Sequence, residues 1–184
     1  MQDEDTFWSQ LYQKGHDYRP ITGLEVDQYL SSIKNGKARA LDIGCGTGQL
    51  IRELYHKGFV VTGIDVSATA IKIAKSRTVH DIEYFHLDIE SDHIDSISRK
   101  TYHLITCRLV FAFIRNKDKF LQRVQNLLTN DGVFIIVTLL LDKVLPEKRK
   151  TAVDIKMTEK LLNKYFSVEI SYMDNLGFIV CRNK

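Results

Sequence analysis

The stretch Ala38-Arg39-Ala40-Leu41-Asp42-Ile43-Gly44-Cys45-Gly46-Thr47-Gly48-Gln49-Leu50 constrains the fold more than any other part of the chain. An apolar-rich run ending in an acid, then alternating glycines, then a helical pattern reads as strand, tight loop and helix. Glycines at 44, 46 and 48 let the backbone take positive φ and leave no Cβ between it and a ligand. The helix start behind them offers unpaired N–H groups. A flat, polar small molecule fits such a loop.

The spacing narrows the choice of ligand. The dinucleotide fingerprint needs G-x-G-x-x-G, and here the third glycine of that pattern is replaced by Gln49. Downstream, Phe59-Val60-Val61-Thr62-Gly63-Ile64-Asp65 is a second buried strand. It ends in an acid about 20 residues after the loop, where a ribose diol is gripped. Asp65 alone does not separate NAD from other adenosine ligands. A third strand, Ile82 to Leu87, runs into Asp88-Ile89, so three successive strand ends each carry a carboxylate.

On three motifs, Leu41-Asp42-Ile43-Gly44-Cys45-Gly46-Thr47-Gly48, Gly63-Ile64-Asp65-Val66-Ser67 and Leu87-Asp88-Ile89, the chain resembles the class I S-adenosylmethionine-dependent methyltransferases. The resemblance covers residues 36 to 140 firmly and the rest loosely. It implies an α/β fold: a three-layer α-β-α sandwich whose mostly parallel seven-stranded sheet ends in an antiparallel hairpin. It also implies S-adenosyl-L-methionine as cofactor and S-adenosyl-L-homocysteine as product.

By the same resemblance, Asp42 and the backbone of Gly44, Cys45, Gly46 and Gly48 position the methionine part. Asp65 accepts from both ribose hydroxyls, Val66 packs on adenine, Asp88 accepts from the adenine amino group, and the Ile89 amide donates to the ring. Cys107, at the end of the fourth strand, lies beside the transferred methyl group. An N-terminal segment crossing the pocket offers Tyr12, His16, Tyr18 and Arg19 at the methionine end. From the residues alone, each carboxylate also reads as a helix N-cap or a turn residue.

Periodicity supplies the other elements. Phe7, Trp8, Leu11 and Tyr12 form one face of a short helix ending at Gly15, with Trp8 packing it onto the sheet. Thr22-Gly23-Leu24-Glu25 reads as a capping box opening a helix with Leu24, Val26, Tyr29, Leu30 and Ile33 inward, closed by Asn35-Gly36. Leu50, Ile51, Leu54 and Tyr55 line the first crossover helix, and Ser67 caps the next. Glu90 to Lys100 is a loop or short helix that says little about function. The fourth strand is Tyr102 to Cys107. A helix from Lys117 closes at Thr129-Asn130-Asp131-Gly132, and Val133 to Leu139 is the fifth strand. Asp142 to Lys156 lacks periodicity and is the longest loop, expected over the acceptor pocket. A last helix starts at Thr158-Glu159. Val168 to Tyr172 and Phe178 to Arg182, joined by a turn too short for a crossover, must be antiparallel.

At 184 residues the chain suits one domain, with residues 1–35 as a helical cap and 36–184 as a Rossmann-like core. An acidic N-terminus and the absence of a long apolar run point to a cytoplasmic protein. The formal charge of +3, from 26 basic and 23 acidic residues, is too mild to signal nucleic-acid binding. The basic cluster of Lys143 with Lys148-Arg149-Lys150 reads as a solvated loop. Cys45, Cys107 and Cys181 lack C-x-x-C spacing, so neither a disulfide framework nor a metal site is indicated.

The chain has Thr106-Cys107-Arg108-Leu109 where amino methyltransferases of nucleobases carry an Asp/Asn-Pro-Pro-aromatic turn, which counts against such acceptors. No catalytic residue is assigned. His16, Tyr12, Tyr18, Arg108 and Tyr172 are open as helpers, Cys107 reads as a packed thiol, and Trp8, Tyr12, Tyr18, Phe111 and Phe113 form either an aromatic acceptor pocket or plain core. The expected function is methyl transfer to a small molecule by in-line displacement, in a monomer or homodimer. RNA or protein methylation, or a non-catalytic cofactor-binding partner role, are the alternatives.

Overall fold

Eight strands form one sheet in this computed structural model, which describes residues 4–15, 19–31, 38–78, 81–91, 93–98 and 100–184. They are β1 (Arg39–Ile43), β2 (Val60–Asp65), β3 (Glu83–His86), β4 (Tyr102–Arg108), β5 (Leu128–Leu140), β6 (Ala152–Val153), β7 (Phe166–Met173) and β8 (Leu176–Asn183). The main path runs β3-β2-β1-β4-β5-β8-β7. Its first five strands are mutually parallel, and β8 pairs antiparallel with both β5 and β7. The seven strands and terminal hairpin expected from the sequence are present. The eighth strand, β6, is an addition: Leu139 and Leu140 of β5 pair in parallel with Ala152 and Val153.

The helices are α1 (Glu4–Gln13), α2 (Gly23–Ser31), α3 (Gln49–His56), α4 (Ala68–Ser76), α5 (Asp95–Ser98), α6 (Lys117–Leu127) and α7 (Ile155–Leu162). Side chains alternate across each strand, and that alternation divides the core in two. Ala40, Leu104, Ile135 and Val137 join Tyr29 of α2, Leu50, Ile51 and Leu54 of α3, and Ile71 and Ala74 of α4. Leu41, Ile105, Phe134 and Ile136 join Ile97 of α5, Phe120, Leu121 and Val124 of α6, and Leu162 of α7. Near-continuous apolar strands are thus covered on both faces, which makes the three layers.

Four local readings change. Thr22 Oγ1 accepts from the Glu25 N–H at 3.2 Å, as a cap should, but the Glu25 carboxylate turns inward and Leu24 is 74% exposed. The segment Thr129 to Gly132 is extended rather than a helix-closing turn. The pairs Tyr102↔Leu128 and Leu104↔Val133 leave His103 opposite all of it, so α6 passes directly into a bulged β5. The last helix begins earlier than Thr158 because Asp154 caps it, accepting from the Met157 N–H at 3.0 Å. Residues 142 to 156 are structured by 3-10 turns at Leu141–Lys143 and Pro146–Thr151, by β6 and by the start of α7. His16, Tyr18, Ile33, Asn35 and Gly36 lie outside the described residues.

Candidate active site

A cavity of about 570 Å³ opens at the C-terminal ends of β1, β2 and β4 and beside the loop after β3. This is where open parallel sheets hold ligands. Its floor is the glycine loop. The N–H groups of Gly44 and Cys45 both donate to the Ile64 carbonyl, at 2.8 and 2.9 Å, so the loop is folded back onto the end of β2. Gly44 has φ +72°, and a Cβ there would stand 2.2 Å from Cγ2 of Val110. At Gly46, with φ +54°, a Cβ would stand 2.8 Å from the Tyr12 hydroxyl. Glycine is therefore required by backbone conformation and by close approach of the two neighbouring walls.

Asp65 ties the loop to the next element. Its Oδ2 accepts from the Gly46 N–H and its Oδ1 from the Ser67 N–H, both at 2.8 Å. Asp42 is buried, and its Oδ1 accepts from the Thr106 hydroxyl at 2.7 Å. Burial pushes its carboxyl up to about 7, against the Thr106 hydrogen bond and the Arg108 charge, which pull it down. Asp88 accepts from the Glu90 N–H at 2.7 Å and lies 3.5 Å from the Arg115 guanidinium. Val66 accepts from Nε2 of His86 at 3.0 Å, and the Ile89 carbonyl accepts from Arg123 at 2.5 Å.

Asp42, Gly44, Cys45, Gly46, Asp65, Val66, Asp88, Ile89, Tyr12 and Arg19 all line this one cavity. Gly48 and Cys107 do not. Gly48 is the left-handed N-cap of α3, behind the loop. Cys107 is fully buried in the sheet core, and burial pushes its thiol up. Strand alternation explains this: the next residue, Arg108, is the one that reaches the cavity.

Other residues complete the lining, some of them singled out in the sequence (Arg108, Trp8, Tyr12 and Arg19) and others, such as Glu90, Leu109 and Val144, without a local signal there. Arg108 is held by Glu25 of α2, Nε donating to Oε1 at 2.6 Å and Nη2 to Oε2 at 3.2 Å, and Tyr29 donates to the same carboxylate at 3.3 Å. Leu109, just beyond β4, has φ +59° and donates its N–H to the Val137 carbonyl at 2.7 Å. Glu90 accepts from the N–H groups of Arg115 and Asn116 at 3.0 and 2.7 Å, bracing the loop after β3 against the start of α6. From α1, Phe7, Trp8 and Tyr12 form a roof, with Ser9 hydrogen-bonded to the α4 cap Ser67 at 2.8 Å. Val144, Lys148 and Thr151 close a second side. Arg19 donates to Asn175 Oδ1 at 2.6 Å, joining the N-terminal segment to the β7–β8 turn. Among the described residues no cluster of His, Cys, Asp or Glu could hold a metal ion.

Comparison with known proteins agrees with this geometry. The family model described as "Methyltransferase domain" matches residues 41–134, which span the glycine loop, all three carboxylate-bearing strand ends and β4. The chain belongs to the methyltransferase-domain family. Among relatives of this methyltransferase-family chain, a ubiquinone biosynthesis O-methyltransferase of Glaesserella parasuis serovar 5 is 32% identical over 133 residues, 67% of this chain and 56% of the relative. A carboxy-S-adenosyl-L-methionine synthase of Campylobacter hominis is 28% identical over 135 residues, 70% of this chain and 56% of that one. The chain thus spans a little over half the length of the curated relatives it matches. A TehB-like SAM-dependent methyltransferase from Corynebacterium glutamicum superposes with a TM-score of 0.69 at 20% identity, over 97% of this chain and 95% of that one. The plantazolicin methyltransferase BpumL, solved in complex with a triazolic desmethylPZN analog and SAH, gives 0.69 at 19% identity, over 86% of this chain and 82% of that one. These likenesses establish the methyltransferase fold.

Proposed function

We propose that this chain binds S-adenosyl-L-methionine in the 570 Å³ cavity and transfers its methyl group to a small-molecule acceptor, leaving S-adenosyl-L-homocysteine. One observation carries the reading: Asp42, Asp65 and Asp88, from the ends of three neighbouring strands, converge with the glycine loop on a single cavity. The fit of the cofactor is supported by the missing Cβ atoms at Gly44 and Gly46, which leave the loop backbone open to contact. It is supported also by the acceptor-rich donor set. A carboxylate has about four lone-pair sites, so each Asp65 oxygen can take a ribose hydroxyl beside its backbone donor. Asp88 and the Ile89 N–H suit the two hydrogen-bonding edges of an adenine, and Val66 suits its face. Asp42 sets a carboxylate where the cationic methionine end would lie. The curated relatives point the same way, since one is named for O-methylation in ubiquinone biosynthesis and another for a derivative of the same cofactor.

S-adenosylmethionine supplies an electrophilic methyl on a sulfonium whose departure as a neutral thioether requires no acid. The chain's contribution is positioning and exclusion of water. Holding a nucleophile against the methyl is worth about 7 to 11 kcal/mol of barrier. The roof from α1 and the wall from residues 144–151 perform that enclosure, and no general base is assigned. The whole of residues 1–184 acts as one domain in this reading, with residues 1–35 as its cap.

Thermal unfolding with S-adenosylmethionine, S-adenosylhomocysteine and NAD, each at about 100 times its dissociation constant, tests it. A bound ligand adds about 2.7 kcal/mol, a shift of roughly 5 to 11 °C for a domain of this size. Shifts with the two sulfur ligands, absent with NAD and lost in Asp88→Ala, are expected. No shift with either sulfur ligand would overturn the proposal.

A further inference from the structure

The cavity is larger than its carboxylate and glycine end, and the remainder has a different chemistry. Phe7, Trp8 and Phe113 form an aromatic wall there: Trp8 stands edge-on to Phe113 at 4.9 Å and to Phe7 at 5.2 Å. Val144 and Ile114 continue it. Phe7 is 44% exposed, its ring left partly uncovered by the described residues. Such a surface suits an apolar or aromatic body.

The charges around it decide what else that body carries. Arg108 is matched by Glu25, and Arg19 lies 3.5 Å from Asp174. Asp88 and Glu90 are both engaged by Arg115, with Glu90 taking two backbone N–H groups besides. Asp42 and Asp65 belong to the glycine-loop end, where Asp42 takes the Thr106 hydroxyl and Asp65 takes backbone donors. Lys148 alone among the charged lining groups has neither an ion-pair nor a side-chain hydrogen-bond partner among the described residues. Its backbone is nonetheless fixed: its N–H donates to the Leu145 carbonyl at 2.9 Å, and its carbonyl accepts from the Thr151 hydroxyl at 2.7 Å. The 3-10 turn that carries it packs on the turn bearing Phe113, and Arg149 and Lys150 follow it on the same exposed turn.

We propose that the acceptor half of the cavity takes an amphipathic anion, its apolar or aromatic body against Phe7, Trp8 and Phe113 and its carboxylate or phosphate at Lys148. This deepens the methyl-transfer reading and rests on it for the word acceptor. The basic turn that read as a mere solvated loop in the sequence is then a specificity element: it draws anions to the mouth and sets the register of the apolar body toward the strand ends.

The chain carries its own reporter, because Trp8 is its sole tryptophan. Trp8 emission, excited where phenyl rings do not absorb, is titrated with 4-phenylbutanoate, 4-phenylbutanol and 4-phenylbutylamine, with and without saturating S-adenosylhomocysteine. The anion is expected to bind about five-fold more tightly than the alcohol, the scale of one partly exposed charge pair, with the amine weakest. Raising salt to about 0.5 M shrinks the gap. Lys148→Ala should remove the preference and Lys148→Glu should invert it, both keeping the wild-type thermal shift with S-adenosylhomocysteine. Equal affinity for the three probes, or a preference unchanged in Lys148→Glu, overturns the inference. A missing S-adenosylhomocysteine shift in the wild type would instead overturn the cofactor reading, while the ranking of the probes still decides the charge of the pocket.

Discussion

Arg108 and Glu25 meet as a fork, Nε to Oε1 at 2.6 Å and Nη2 to Oε2 at 3.2 Å, across 83 residues of chain. Glu25 is 3% exposed in its side chain and Arg108 10%, so each would be a buried uncompensated charge without the other. Breaking such a pair by removing one partner costs about 3 to 5 kcal/mol. Arg108→Met or Glu25→Leu should each lower the melting temperature by roughly 6 to 20 °C. The double replacement should recover most of that loss, and thermal unfolding of the three variants decides it.

Asp42 should make stability and cofactor binding respond oppositely to pH. Its carboxyl is pushed up to about 7, chiefly by burial, from an ordinary value of 3.8. Between those values the folded state holds more protons than the unfolded one, so its contribution to stability is fully present below about pH 4 and is lost as pH rises through 7. Asp42→Asn should therefore melt higher than wild type at pH 8 and show little difference at pH 4. Affinity for the cationic cofactor should rise from pH 6 to pH 8 in the wild type and lose that dependence in the variant. Unfolding and binding titrations across this range check both signs.

Gly46 and Tyr12 should be energetically coupled. Gly46→Ala meets the Tyr12 hydroxyl at 2.8 Å, and removing that oxygen leaves the next atom, Cζ, at 3.6 Å. The alanine alone should cost more than the about 1 to 2 kcal/mol of a left-handed backbone. In a Tyr12→Phe background the cost should fall to that backbone value. A double-mutant cycle by denaturant unfolding reads the difference.

Cys45, Cys107 and Cys181 are all buried, and burial raises each thiol. Since the thiolate is the reactive form, none should react with a disulfide-exchange reagent at pH 8 in the native protein, and all three should react in denaturant. Rapid native labelling of any one would contradict the packing described for it.

What was legible in the sequence was local. The run from Leu41 to Gly48 encodes strand, loop and helix within itself, and the apolar strands ending at Asp65 and before Asp88 announce their own register by length. The hairpin follows from a turn too short for anything else. The Glu25–Arg108 fork was hidden because Thr22-Gly23-Leu24-Glu25 satisfies a capping rule locally, and only the docking of α2 on the sheet turns Glu25 inward and Leu24 out. Residues 142 to 156 lack periodicity because their order comes from a distant partner, the end of β5, and from 3-10 turns too short to show a repeat. Cys107 and Arg108 differ by one position on a strand, and that one step separates core from cavity.

The placement of β8 bears on how the chain comes off a ribosome. β5 is the longest of the described strands, with Val133 to Thr138 buried, and its outer edge is completed by β8 from Leu176 to Arg182. Everything from β6 to β7 is synthesised in between. Until β8 emerges, the nascent chain presents a long apolar strand with an unpaired edge, the kind of surface that invites association. Chain order and topology together thus leave an interval in which the β5 edge that β8 covers is unpaired. A stall between Val153 and Leu176 would prolong the time that this edge stays unpaired.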